Sequence, residues 1–228
     1  MAFHAFKNKT EAFSFASKLC ADAISKTIEA NAHASMLLSG GTTPAPLYER
    51  LSHEALSWSR VDVGLVDERW VEPDDQASNE RLVRTHFLQN NASAASFVPM
   101  KIPSLNAKNA EQDVDAMYKP FAKPSVAIIG MGPDGHTASW FPESKGLDEA
   151  MNSSTSKRVQ AIDATNCAVA GAHTSRMTVT MPVLANADAV LLLISGDQKR
   201  AVLQKQCSLP IHKLFTERDD QIETVWIP

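Results

Sequence analysis

The chain has 228 residues, 44% hydrophobic and 21% charged, enough apolar material to bury a core in one large α/β domain or two small ones. A formal net charge of −4 gives no global basic field, so neither nucleic acid nor an anionic membrane is an expected partner, and any phosphate must be held by a local site. The three cysteines, Cys20, Cys167 and Cys207, form no C-x-x-C or Cys/His cluster, so they read as reduced, buried thiols of a cytoplasmic protein and no metal site is expected.

The first residues, MAFHAFKNKTEAF, lack the apolar run of a signal peptide. Asn8 with Glu11 three residues on resembles a capping box. Phe13, Ala16, Cys20, Ala23, Ile24 and Ile28 then recur at helical spacing, which predicts an amphipathic helix over 10–30. A short strand over 35–39 breaks at Gly40-Gly41-Thr42-Thr43-Pro44, and a helix should follow, with Pro44 in its first turn. The next strand, 61–66, ends in Asp67-Glu68-Arg69. A polar loop leads to Ser78 and a helix over 79–88. Strands are predicted at 97–102 and 126–129, with a helix over 107–117 between them. Three less regular strand candidates follow, at 159–162, 167–170 and 177–180. The apolar run 189–194 reads as a strand covered on both faces and is far too short to cross a bilayer. A helix over 197–206 and a strand at 224–227 complete the chain.

This alternation predicts an α/β fold, a doubly wound and mostly parallel sheet, in a single domain. Ligands of such sheets bind at the carboxyl ends of the strands, near a switch point. Four polar segments follow predicted strands there: Ser39 to Thr43, Asp67 to Arg69, Gly130 to His136 and Ser195 to Asp197.

Gly40 and Gly41 let the backbone approach a ligand, and the following helix start favours an anion. Ser39, Thr42 and Thr43 add hydroxyls, while the absence of a P-loop lysine argues against a nucleoside triphosphate. In the second segment, strand alternation points Asp67 and Arg69 the same way and Glu68 the other. Either segment also reads as an ordinary turn or a solvated charge cluster. Gly130, Gly132 and Gly135 have the G-x-G-x-x-G spacing of a dinucleotide turn. No apolar strand follows at the distance such a site needs, and Pro133 and Asp134 make the loop polar, so the dinucleotide reading is weak. His136 suits proton transfer at neutral pH better, with Asp134 close enough in sequence to orient it. Lys199, in the first turn of a predicted helix, opposes the helix dipole and suits anion binding, as does Arg176.

Taken together, LSGGTTPAPLYERL (38–51), VDERWVEPDDQASNERLVRTHFL (66–88), GMGPDGHTASWFP (130–142) and RMTVTMPVLANADAVLLLISGDQKRAVL (176–203) resemble the glucosamine-6-phosphate isomerase/6-phosphogluconolactonase superfamily, and within it the 6-phosphogluconolactonases. The resemblance implies a Rossmann-like fold and hydrolysis of 6-phospho-D-glucono-1,5-lactone without a cofactor, by a monomer or small homo-oligomer. It makes His136 the general base and Arg69, beside Asp67, the residue that orients substrate. The Ser39 to Thr43 loop, Arg176 and Lys199 become the phosphate-handling positions. Trp140 stands where that family commonly has leucine, an exchange that bears on a pocket wall. Glucosamine-6-phosphate deaminases share two of these loops but carry an Asn-Glu pair where this chain has Trp140 and Phe141.

Overall fold

The computed structural model describes residues 2–205 and 208–227. Cys207 and the end of the helix predicted over 197–206 therefore lie outside the described residues.

Seven strands form one parallel sheet: β1 (Ala2–Ala5), β2 (Ala34–Leu38), β3 (Val61–Leu65), β5 (Ser96–Phe97), β6 (Val126–Ile129), β9 (Ala189–Ser195) and β10 (Glu223–Ile227). Their spatial order is β1-β10-β9-β6-β2-β3-β5. β2 and β6 are buried along their whole length, as uninterrupted apolar runs require in a sheet covered on both faces. The chain builds outward from β2 through β3 to β5, then returns to start β6 on the other side of β2. The order thus reverses between β2 and β6, and their carboxyl ends open the crevice where such sheets bind ligands.

α1 (Lys9–Asn31) is the longest helix. Asn8 caps it by accepting from the Glu11 backbone N–H at 2.9 Å, and the stripe Ala12, Phe13, Ala16, Cys20 and Ile24 is buried. Burial pushes the Cys20 thiol up to about 12, so it stays protonated and inert. α2 (Ala45–Ser52), α3 (Asn79–His86), α4 (Ala107–Met117), α5 (Leu147–Ala150), α6 (Met181–Ala185), α7 (Asp197–Gln204) and α8 (Pro210–Glu217) complete the helices. Among the described residues no helix is long and apolar enough to cross a membrane.

Three strands leave the parallel arrangement. β4 (Asp67–Arg69), β8 (Ser175–Val179) and β7 (Val159–Asp163) form a separate antiparallel sheet, in the order β4-β8-β7. Asp67-Glu68-Arg69 is thus a strand of its own, not the tail of β3. Val66 joins the two sheets: its N–H donates to Leu38 O at 3.0 Å, and its carbonyl accepts from the Val179 N–H at 2.9 Å. The small sheet stands at the carboxyl end of the large one.

Two strand predictions fail for identifiable reasons. The strand expected at 97–102 shrinks to β5, because Pro99 cannot donate to a ladder. The candidate at 167–170 is a 3-10 turn, Ala168–Ala170, ending at Gly171 with φ +67°. β1, α5, α6 and α8 were not readable as elements from the sequence.

Candidate active site

A cleft of about 340 Å³ lies at the switch point and collects residues from three of the four polar segments; the fourth, Ser195 to Asp197, is not in its lining, although Lys199 just beyond it is. Ser39, Gly40, Gly41, Thr42 and Thr43 line it after β2, Asp67 and Arg69 on β4, and Gly130, Gly132 and His136 after β6. Arg176 from β8 and Lys199 from α7 complete its polar wall. Asp134 is outside the lining but touches it through His136. The residues singled out by the sequence therefore converge on one cavity.

The His136 loop owes its shape to its glycines. His136 Nδ1 lies 2.5 Å from Asp134 Oδ1, and both side chains rest against Gly132, where a Cβ would come within 2.1 Å of His136 Cε1. The imidazole also packs on Phe141, with ring centroids 4.4 Å apart. Asp134 fixes Nδ1 as the protonated nitrogen, so Nε2, which has no hydrogen-bond partner among the described residues, carries the lone pair that can take a proton. Burial pushes the Asp134 carboxyl up, but the hydrogen bond and charge of His136 outweigh it and hold the group below the usual carboxylate range. Gly135 has φ +79°, and its missing side chain admits Leu209, whose Cβ would otherwise sit 2.8 Å from an added one.

The small sheet supplies the opposite wall. Arg69 and Arg176 are register partners across the β4–β8 pair. Like charges directly opposite each other weaken a sheet, so this pairing costs the small sheet stability. Arg176 is almost fully buried; its Nε donates to His173 O at 2.5 Å and its Nη2 to Ala170 O at 2.9 Å, over the Phe141 ring. Burial depresses the basicity of its guanidinium and Asp67 supports it. Arg69 Nη1 donates to Ala77 O at 2.5 Å, while its Nε is buried with no hydrogen-bond partner among the described residues. Lys199 is half-buried, burial lowers its pKa, and among the described residues its ammonium has neither an ion pair nor a hydrogen bond.

Strand alternation places Asp67 and Arg69 on the cleft and sends Glu68 into the interior, as expected. Two residues that hold Asp67 escaped the sequence reading. Ser139 Oγ donates to Asp67 Oδ2 at 2.6 Å, and Asn79 Nδ2 donates to the Asp67 carbonyl at 2.8 Å. Asn79 fits only because Gly40 has no side chain; a Cβ there would lie 1.8 Å from Asn79 Oδ1. Neither residue has a local signal, because both act across the fold. Trp140 is not part of the wall: it is fully buried and its Nε1 donates to Val179 O at 2.9 Å. Phe141 is the residue that faces the cleft. Among the described residues no group of three His, Cys, Asp or Glu side chains could hold a metal ion.

A switch-point cleft with a carboxylate-held histidine on one side and paired guanidinium groups on the other is a site for anionic, proton-transfer chemistry. The chain belongs to the family of glucosamine-6-phosphate isomerases/6-phosphogluconolactonase, whose model matches residues 7–226. It is 45% identical over 175 residues to a 6-phosphogluconolactonase of Xylella fastidiosa, covering 77% of this chain and 72% of that one. A 6-phosphogluconolactonase of Caulobacter vibrioides is 32% identical over 228 residues, covering 97% and 95% of the two chains. The crystal structure of a 6-phosphogluconolactonase from Shewanella baltica superposes with a TM-score of 0.90 at 31% identity, over 100% of this chain and 98% of that one.

Proposed function

We propose that this protein hydrolyses 6-phospho-D-glucono-1,5-lactone to 6-phospho-D-gluconate, the lactone-opening step of the oxidative pentose phosphate pathway, and that it does so in the cytoplasm as one domain. Its relatives carry the name of that activity. The observation in this chain that carries the reading is the cleft itself: a histidine with Nδ1 committed to Asp134, facing Arg69 and Arg176. A deaminase reading meets an obstacle at the positions that would hold its acid–base pair, since Trp140 is sealed in the core and Phe141 is apolar.

Lys199, Arg176 and the Ser39 to Thr43 loop hold the 6-phosphate, so that binding energy from a remote group positions the ring. His136 Nε2 takes a proton from water as the water oxygen attacks the lactone carbonyl carbon. The carbonyl oxygen gains the negative charge, which Arg69 and loop N–H groups stabilise. The bond from that carbon to the ring oxygen then breaks. His136 returns its proton to the departing oxygen, which becomes the free hydroxyl of the product, and the new carboxyl group ionises. Asp134 steadies the imidazolium between the two proton transfers. General-base help of this kind supplies roughly 10²–10⁴-fold, which suits an ester that already hydrolyses in water.

The direct test compares freshly generated lactone hydrolysis by the wild-type protein and His136→Ala with the spontaneous rate. Acceleration by the wild type that disappears in the variant, with phosphosugar binding kept, is the expected result. No acceleration by the wild-type protein would overturn the reading. Release of ammonia from glucosamine 6-phosphate would replace it with the deaminase, and binding without turnover with a sensor.

A further inference from the structure

Glu68 is a residue of the Asp-Glu-Arg strand that the mechanism above does not use, and unlike Asp67 and Arg69 it does not line the cleft. It is 1% exposed, and its carboxylate accepts four hydrogen bonds. Oε1 accepts from the backbone N–H groups of Arg69 at 2.7 Å and Asn79 at 2.8 Å. Oε2 accepts from Ser78 Oγ at 3.1 Å and the Glu80 N–H at 2.8 Å.

Part of this is helix capping, since Asn79 and Glu80 open α3 and their N–H groups have no partner within the helix. Capping alone does not call for a buried carboxylate. Ser78 already caps α3 through the Arg81 N–H at 3.2 Å, and a buried charge costs more than a neutral cap. What Glu68 adds is a single oxygen that ties the backbones of Arg69 and Asn79 together. Both residues line the cleft. The tie extends to side chains, because Arg69 Nη1 is aimed by Ala77 O, one residue before the segment Glu68 holds. Asn79 in turn holds Asp67.

We propose that Glu68 is a positioning residue of the hydrolysis: its carboxylate sets the Arg69 guanidinium and the Asn79–Asp67 pair in the cleft wall, and it must be ionised for turnover. The inference rests on the lactonase reading of the site. Four converging donors match a carboxylate; a protonated carboxyl would present an O–H to them and release at least one. The charged and titratable groups around it are Asp67 and Arg69 on its own strand, Arg176 on β8, Glu80 on α3 and Tyr118 after α4. Glu80 is paired with Arg84 at 2.8 Å. Burial above all, with Asp67 adding to it, pushes the Glu68 carboxyl up to about 7 against the pull of three backbone N–H groups. Its ionisation therefore falls in the neutral range, where the rate can report it.

The experiment measures kcat and KM for the wild type and Glu68→Gln across the acid limb of the pH profile, after subtracting spontaneous hydrolysis, with inhibition by 6-phosphogluconate as the binding readout. Glu68→Gln should lower kcat roughly 10- to 100-fold, the scale of a misplacement of about 1 Å, and leave inhibition by 6-phosphogluconate within about threefold. The acid limb of the wild type should be steeper than the gain of one proton, and that of the variant should report one proton only. A role confined to capping would lower the melting temperature and leave both kcat and the limb unchanged, and that result overturns the proposal. If Glu68→Gln does not fold, Glu68→Asp decides, since it keeps the charge and shortens its reach to the Arg69 and Asn79 N–H groups: kcat unchanged from wild type overturns the proposal. A wild-type protein without lactone hydrolysis would instead refute the reaction on which the inference stands.

Discussion

Replacing Gly132 with alanine isolates the placement of His136 from everything else in the cleft. The backbone of Gly132 lies outside the left-handed region, so alanine brings no conformational strain. The added Cβ would sit 2.1 Å from His136 Cε1, 2.3 Å from Nδ1 and 2.8 Å from Asp134 Oδ1. Ordinary contact requires the ring to retreat by more than about 1 Å, which breaks the 2.5 Å bond to Asp134. The ring borders the open cleft and can swing into it, so the fold is little strained while the base is lost from its working position. A misplacement of this size costs about 100-fold, or about 2.7 kcal/mol of transition-state stabilisation. The assay is initial-rate hydrolysis of fresh lactone at neutral pH, corrected for the spontaneous rate, with a thermal melt in parallel. A Gly132→Ala protein with kcat within about threefold of wild type would refute the claim that the Asp134-held ring position drives the rate.

Lys199→Met should raise KM by about 10- to 100-fold with little change in kcat, because it removes one charge-assisted contact to a group remote from the reacting carbon; steady-state kinetics reads this directly. Ser139→Ala leaves Asp67 Oδ2 without its 2.6 Å donor and should cost about 1–3 kcal/mol in urea unfolding, together with a fall in kcat. Gly40→Ala should expel Asn79 and lower both stability and kcat, and a crystal structure of the variant with Asn79 unmoved would contradict that. The stability of the protein should also carry the mark of Glu68. Because burial raises its carboxyl from 4.5 to about 7, the folded protein holds that proton more tightly than the unfolded chain does. The group's contribution to stability is therefore full below pH 4.5 and is lost as pH rises through about 7. Urea midpoints of the wild type should fall relative to Glu68→Gln across that window, and parallel curves would contradict the burial argument.

Much of this molecule is legible in one dimension. Apolar runs such as 126–129 and 189–194 declare buried parallel strands, and the 3.6-residue recurrence from Phe13 to Ile28 declares α1. Helix α4 forms close to the predicted span of about 107–117, where Asn106 caps the first turn. Polar segments that follow such strands must emerge at one edge of a parallel sheet, so the segments holding Ser39, Asp67 and His136 group together from the sequence alone, whereas Ser195 to Asp197, grouped by the same rule, stays out of the cleft. Alternation along three residues was enough to separate Asp67 and Arg69 from Glu68.

What the sequence could not carry was the relation between segments distant along the chain. Nothing local says that Asp67 to Arg69 leave the parallel sheet, because strand direction and partner are fixed by the partner; β8 lies more than a hundred residues later and sets Arg176 opposite Arg69. Asn79 beneath Gly40 and Ser139 on Asp67 are contacts made through space, between residue types that are common everywhere. α8 and α6 each begin with proline in the first turn and are short, so periodicity had too few residues to register. Spacing along the chain determined which side chains could do chemistry here. Only the packing of the small antiparallel sheet against the switch point decided which of them meet, because distance between distant segments is a property of the folded core and not of the order of residues.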